Sequence, residues 1–198
     1  MANGNAPFGF MPLGNQATGA PSNFENMTGV IAYNDTQAIY RGDPVQKLST
    51  GFVSQWDASV EVSQLAGIFW GCRYLSTSQG KIVYNSYWPG ADVASTAQDT
   101  IIAYILPCNL AVPGAFVVQS DSTGIAFADI GRNIDVTLGT GNTLTGKSGA
   151  YLNVGSLGAT ATLPFRIKSL YGGTIGAGGV GGIQPSSTSP YGGSATGA

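Results

Sequence analysis

The sequence predicts an all-β protein, an antiparallel jelly-roll-like sandwich or barrel with an extended N-terminal arm and a glycine-rich C-terminal tail. Short runs of β-branched and aromatic residues recur along the chain, and turn residues separate them. No run keeps the 3.6-residue apolar spacing of an amphipathic helix. The connections are too short for crossover helices, which favours antiparallel pairing of the strands.

Composition divides the chain into an arm over residues 1–28, a β-sandwich or jelly-roll body over 29–171, and a flexible tail over 172–198. The arm is rich in Gly, Asn, Ala and Pro and cannot form a core of its own. Its isolated apolar side chains are candidate contacts to a neighbouring subunit: Phe8, Phe10, Met11, Leu13 and Phe24. A frayed terminus is the alternative. The tail has Gly-Gly pairs among Ser, Thr, Ala and Pro, a composition typical of a linker.

In the first half of the body, alternation and turn residues predict the strands. Gly42–Val45 is a turn that leads into an extended run. Residues 56–64 alternate between polar residues and Ala or Val, which predicts a strand with its valines buried. The runs 67–75 and 81–88 predict a β-hairpin closed by the five-residue loop Ser76–Gly80.

The second half of the body continues the same rhythm. A tight turn is predicted at Asp121–Gly124, and one short helix at most over 96–105. Five further strands are predicted: Ile101–Leu106, Phe116–Gln119, Gly124–Ala128, Ile134–Leu138 and Thr160–Ile167. Many short strands at this spacing are typical of a sandwich, a jelly roll or a barrel.

Charged residues are scarce. They make up 9% of the 198 residues, against about 25% in an average soluble protein, so we expect further copies or a larger assembly to cover much of the surface. The net charge of −2 provides no basic face for a nucleic acid. The chain has no histidine, the commonest general base and metal ligand. We therefore expect a β-rich structural protein, not an enzyme, with no catalytic residues, no cofactor and no metal site.

No targeting or membrane-spanning segment is apparent. The first residues lack the basic and apolar regions of a secretory signal. The longest uncharged apolar stretch, residues 100–120, is interrupted by Pro107 and Pro113, which would break a spanning helix. We expect a cytoplasmic chain that contacts no membrane, with Cys72 and Cys108 as reduced core thiols; a disulfide between them is the alternative.

One motif could indicate nucleotide binding. Residues 141–148 read GNTLTGKS and match the phosphate-binding pattern G-x-x-x-x-G-K-[ST] in full. In a P-loop, Lys147 would hold phosphates, Ser148 would bind magnesium, and a helix would follow. Residues 149–158 contain three glycines and no amphipathic period. A glycine-rich turn between two strands is therefore the preferred interpretation of Gly141–Ser148, and we expect no nucleotide to bind.

Two further sets of side chains are weaker candidates for chemistry. Asp92 with Asp99, or Asp129 with Asp135, could form a carboxylate pair, although turn aspartates are the more common explanation. Three tryptophans could stack on sugars: Trp56, Trp70 and Trp88. At strand spacing, such aromatic residues more often lie in a core.

Eight short motifs occur in the order and with the spacing of a known family. They are Asn5–Phe10, Gly42–Val45, Gly71–Tyr74, Tyr87–Gly90, Val118–Asp121, Gly131–Asp135, Gly146–Ser148 and Leu163–Ile167. Over residues 2–171 the chain resembles the capsid decoration, or cement, proteins of tailed bacteriophages. Members of that family often end in a further apolar strand, whereas residues 172–198 are rich in glycine.

The resemblance implies a jelly-roll-like homotrimer on the outer surface of the icosahedral head, assembled in the host cytoplasm. It implies that the trimer binds where major capsid proteins meet and stabilises the expanded shell. It also implies that the chain has no catalytic residues and that Gly146–Ser148 is a structural turn.

Two other functions are the alternatives. A receptor- or glycan-binding β-sandwich of a head or tail fibre would present an aromatic groove. A major capsid subunit would need a long helix, which the sequence does not predict. A hydrolytic enzyme is a more distant third.

Overall fold

The computed structural model describes residues 6–13, 27–59, 61–108 and 114–170. These residues are mostly β and form several antiparallel sheets, as the sequence predicts. They contain no α-helix and three short 3₁₀ turns: Val62–Gln64, Gln98–Thr100 and Phe127–Asp129. None of these turns is long and apolar enough to cross a membrane.

The strands are numbered in chain order. Within the described residues they are β1 (Met11–Pro12), β2 (Met27–Gly29), β3 (Ile39–Tyr40), β4 (Pro44–Lys47), β5 (Val53–Gln55), β6 (Leu65–Ser76), β7 (Lys81–Asn85), β8 (Tyr87–Trp88), β9 (Ile102–Pro107), β10 (Phe116–Val117), β11 (Asn133–Thr137), β12 (Tyr151–Gly158) and β13 (Phe165–Arg166). At 12 residues, β6 is long enough to pair with three other strands.

The described residues fall into two units. The first unit comprises those within Ala6–Val118 and Leu138–Tyr151, and the second comprises Gln119–Thr137 and residues 152–170. The predicted tail, residues 172–198, lies outside the described residues, and the boundaries of arm, body and tail stay predictions.

The first unit is organised by a six-stranded sheet of order β2-β9-β6-β4-β5, with β7 also paired to β6. The sheet curls so that β5 comes close to the end of β2. The Val53 N–H of β5 donates to the carbonyl of Val30, the residue after β2, over 2.8 Å. The two strands form no ladder, so the sheet stays open and is not a closed barrel. Its buried face encloses an apolar core that includes Ile39, Phe69 and Trp88. Two short sheets, β1-β10 and β3-β8, complete the unit.

The second unit contains the sheet β12-β11-β13. Its buried apolar side chains come from β11, from β12 and from the residue after β13: Ile134, Val136, Leu152 and Ile167. The predicted turn at Asp121–Gly124 is confirmed, since the Gly124 N–H donates to the Asp121 carbonyl over 3.2 Å.

The predicted hairpin is confirmed. β6 and β7 pair in register from Cys72 with Asn85 to Ser76 with Lys81, so that the loop is one residue shorter than expected. β9 and β11 lie where strands are predicted, while the strands expected over 116–119 and 160–167 shorten to two residues each.

Two predicted strands, over 56–64 and 124–128, are wrong. The Asp57 carboxylate accepts the Ser59 N–H over 2.9 Å and bends the chain after β5. A 3₁₀ turn follows at Val62–Gln64. The Asp129 carboxylate accepts the Ala126 N–H over 3.0 Å, which favours a 3₁₀ turn in place of the second strand.

Candidate functional site

Phe10, one of the arm residues predicted to contact a neighbour, is buried in its own subunit. It is 2% exposed and packs edge to face against Phe116, with ring centroids 6.1 Å apart. The following residues form β1, which pairs with β10. Phe10 therefore fixes the arm to the first unit.

The other predicted arm contacts are more accessible. Phe8, Met11 and Leu13 are half-buried. Phe24 lies outside the described residues. The contact of these side chains with a neighbouring subunit stays a prediction.

A buried carboxylate, Asp43, joins three segments of the first unit. Its Oδ2 accepts hydrogen bonds from the Tyr40 N–H over 2.8 Å and from Gln55 Nε2 over 3.0 Å. Its Oδ1 accepts the hydroxyl of Ser148, whose Oγ in turn accepts the Ala150 N–H over 2.8 Å. We call this group of residues the Asp43 hub.

Burial raises the pKa of Asp43 above its ordinary value. The hydrogen bonds from Ser148, Tyr40 and Gln55 favour the carboxylate and offset part of that rise. Asp43 is 1% exposed, so its carboxylate is a structural crosslink that solvent hardly reaches.

The arm reaches the same hub at Gly9. The Phe10 N–H donates to the Gly42 carbonyl over 2.9 Å. Gly9 has φ +73°, and a Cβ there would lie 2.5 Å from Cβ of Ser148, so only glycine fits. With the arm, four segments of the chain thus meet around one carboxylate.

The loop 141–148 is an ordered turn. The Asn142 carboxamide accepts the N–H groups of Leu144 over 2.9 Å and Thr145 over 3.1 Å. The Arg41 N–H donates to the Gly146 carbonyl over 2.9 Å, which fixes the loop to the chain before Asp43. This arrangement leaves Leu144 95% exposed at the tip.

The surroundings of this loop differ from those of a P-loop. The loop lies between β11 and β12, which confirms the predicted turn between two strands. The residues after it form a strand, whereas a P-loop needs a helix there. The Ser148 hydroxyl, which would bind magnesium in a P-loop, donates to Asp43 instead.

Most of the tryptophans considered for stacking on sugars are core residues. Trp56 and Trp88 are buried, which confirms the core interpretation for them. Trp70 is half-buried, and the guanidinium of Arg41 lies 4.0 Å from its ring centroid. Of the three tryptophans, only the half-buried Trp70 has part of its side chain at the surface, and Arg41 packs against its ring.

Two of the aspartates considered as catalytic pairs, Asp92 and Asp129, act in turns, whereas Asp135 lies in β11. The Ser76 hydroxyl and the Ser78 N–H donate to Asp92 over 2.6 and 2.7 Å and lower its pKa. The Ala126 N–H and the Arg132 guanidinium likewise lower the pKa of Asp129. These contacts hold the carboxylates in their charged forms and support the turn interpretation.

Cys72 is a buried free thiol. Its Sγ donates to the Tyr87 carbonyl over 3.4 Å, and burial raises its pKa to about 12. It is therefore protonated and unreactive at neutral pH. Cys108 is half-buried. In the described part of the chain, no three His, Cys, Asp or Glu side chains gather as metal ligands.

Sequence reasoning did not find the Asp43 hub. Gly42–Val45 and Gly146–Ser148 were noted as separate motifs, but their contact joins residues 105 positions apart. The sequence signal that could have found it is a Ser in a glycine-rich turn together with an Asp in a Gly-Asp-Pro turn.

Comparison with protein-family models, curated proteins and solved structures finds no match to this chain.

Proposed function

We propose that this chain is a structural virion protein that binds the outer surface of an icosahedral bacteriophage head as a homotrimer. It cements neighbouring major capsid proteins and stabilises the expanded shell. The proposal includes a jelly-roll-like arrangement of the antiparallel sheets and assembly in the host cytoplasm. It includes no enzymatic step.

The observation that carries the proposal is the exposure of large apolar side chains on a chain with few charges. Seven such residues have exposed fractions between 39% and 95%: Met27, Val30, Tyr33, Ile82, Tyr84, Phe127 and Leu144. Charged residues make up only 9% of the chain. Of the seven, Ile82 and Tyr84 are neighbours on one face of β7, and adjacent exposed apolar side chains mark protein interaction surfaces, which a protein bound to a shell requires.

The Asp43 hub also supports the proposal. Three of the eight motifs that resemble decoration proteins supply its residues: Asn5–Phe10, Gly42–Val45 and Gly146–Ser148. Because contacts around a buried carboxylate join these three motifs, a protein with the same fold would need all three together.

The proposed mechanism is mass action. A trimer that binds the assembled shell and not its dissociated subunits shifts the equilibrium towards the shell. Several weak contacts in each trimer add through multivalency.

The experiment is calorimetry of expanded, undecorated heads with and without the purified protein. We expect the melting temperature of the shell to rise with added protein and to reach a plateau when the sites are filled. An unchanged melting temperature at excess protein would contradict the proposal. The same titration with heads that already carry their decoration protein is the control and is expected to give no rise.

A further inference from the structure

One side of the β6–β7 hairpin presents apolar residues to solvent. Cys72 and Tyr74 of β6 point into the core, so Arg73 and Leu75 lie on the opposite face. The register with β7 places Tyr84 beside Arg73 and Ile82 beside Leu75. On the other side of β6, Ile102 of β9 lies beside Arg73. We call these residues the hairpin face: Arg73, Leu75, Ile82, Tyr84 and Ile102.

The hairpin face is uncovered along β7. Tyr84 is 70% exposed and Ile82 is 47% exposed, although Val83 between them packs on the core. In the described residues β7 pairs with β6 alone, so its outer edge is open. Proteins normally cover or charge an apolar strand at an open edge, because such an edge promotes association.

The charge on the hairpin face indicates what covers it. Arg73 is its charged member, and Nε of Arg73 donates to the Thr100 carbonyl over 3.4 Å. Among the described residues no carboxylate pairs with this guanidinium. A second copy of the same face would bring two arginines together in an apolar contact, which is unfavourable. The complementary partner is an apolar protein surface that contains a carboxylate.

We propose that the hairpin face is the surface by which this chain docks on the major capsid protein, which supplies a carboxylate to Arg73. This inference rests on the proposed function, because it identifies the docking surface for that same partner.

The test measures the affinity of variants for expanded, undecorated heads by co-sedimentation. Tyr84→Ser removes an exposed apolar side chain from the face, and Leu144→Ser makes the same kind of change outside it. We expect Tyr84→Ser to weaken binding by about tenfold or more, and Leu144→Ser to stay within about twofold of wild type. Circular dichroism melting of each variant checks the fold.

Charge is tested separately at Arg73. We expect Arg73→Glu to weaken binding by more than Tyr84→Ser does, and Arg73→Lys to retain most of it, because the lysine keeps the positive charge. If Arg73→Glu unfolds the chain, the Tyr84 and Ile82 serine variants decide the matter.

The outcomes separate this inference from the proposed function. Absence of wild-type binding overturns both. Wild-type binding with an unchanged affinity of Tyr84→Ser, or an equal loss in Leu144→Ser, overturns the hairpin face alone. A Tyr84→Ser variant that changes from trimer to monomer in solution would also overturn it, because the face would then join copies of this chain.

Discussion

Asp43 is the residue on which the packing of the first unit depends most directly. Its carboxylate accepts hydrogen bonds from Tyr40, Gln55 and Ser148. Removal of the carboxylate leaves the donors of Tyr40, Gln55 and Ser148 without this acceptor, whereas an amide keeps the oxygen that serves Tyr40 and Gln55. We expect Asp43→Ala to lower the free energy of unfolding by about 3 kcal/mol and Asp43→Asn by about 1 kcal/mol. Urea denaturation measures the two losses.

The raised pKa of Asp43 gives these variants a pH signature. The folded protein binds this proton more tightly than the unfolded chain, whose Asp pKa is about 3.9. The contribution of Asp43 to the free energy of unfolding is therefore fully present below that value, and falls as the pH rises through the folded pKa. Asparagine binds no such proton. Wild type should lose stability relative to Asp43→Asn as the pH rises above about 4. A difference that stays constant or grows in favour of wild type would contradict the raised pKa.

Trp56 and Trp88 are both buried and differ in the hydrogen bonding of the indole N–H. Trp88 Nε1 donates to the Asp35 carbonyl over 3.0 Å, while the buried Nε1 of Trp56 has no hydrogen-bond partner among the described residues. Phenylalanine removes a similar apolar volume at either position. We expect Trp88→Phe to cost about 1–2 kcal/mol more in unfolding free energy than Trp56→Phe, because only Trp88 loses a hydrogen bond. Equal losses in thermal or urea unfolding would show that the Asp35 contact contributes nothing.

At the scale of elements, variants of the loop 141–148 distinguish a structural turn from a nucleotide-binding P-loop. Ser148→Ala removes the hydroxyl from the Asp43 hub and should lower the free energy of unfolding by about 2 kcal/mol. Lys147 is exposed, so Lys147→Ala is the control and should change it by less than about 0.5 kcal/mol. Titration of the wild type with Mg-ATP is expected to give no binding heat. ATP binding that Lys147→Ala abolishes would establish a P-loop function.

The elements differ in how far the sequence could predict them. The hairpin β6–β7 follows from its β-branched and aromatic runs, because both strands pair locally through a short loop. The strands expected over 56–64 and 124–128 do not form, because the side chains of Asp57 and Asp129 bond nearby backbone N–H groups. Alternation alone does not reveal that competition.

Among the candidate sites, too, features set by a local pattern could be predicted and features set by long-range packing could not. The burial of Trp88 could be anticipated from strand spacing, since it depends on a local pattern. The contact of Asp43 with Ser148 could not, because it depends on how distant segments pack. Phe10 was a sensible candidate for an intersubunit contact, since an apolar residue in a polar arm must be buried somewhere; the structure buries it in its own subunit.

At the scale of the whole molecule, the chain combines few charged residues with exposed apolar side chains. A chain with 9% charged residues has few groups with which to hydrate its surface. The described part contains one ion pair, Arg132 with Asp129, at 2.9 Å, so ion pairs contribute little to its internal stability. We therefore propose that this surface serves assembly and that the hairpin face is the part that contacts the capsid.

The central claim is that the chain binds the outside of an expanded head as a trimer. The most direct measurement is co-sedimentation of the purified protein with expanded, undecorated heads, in which the bound copies are counted by gel densitometry. The account predicts saturable binding in multiples of three copies per lattice unit. A folded sample that stays in the supernatant at every concentration would contradict it.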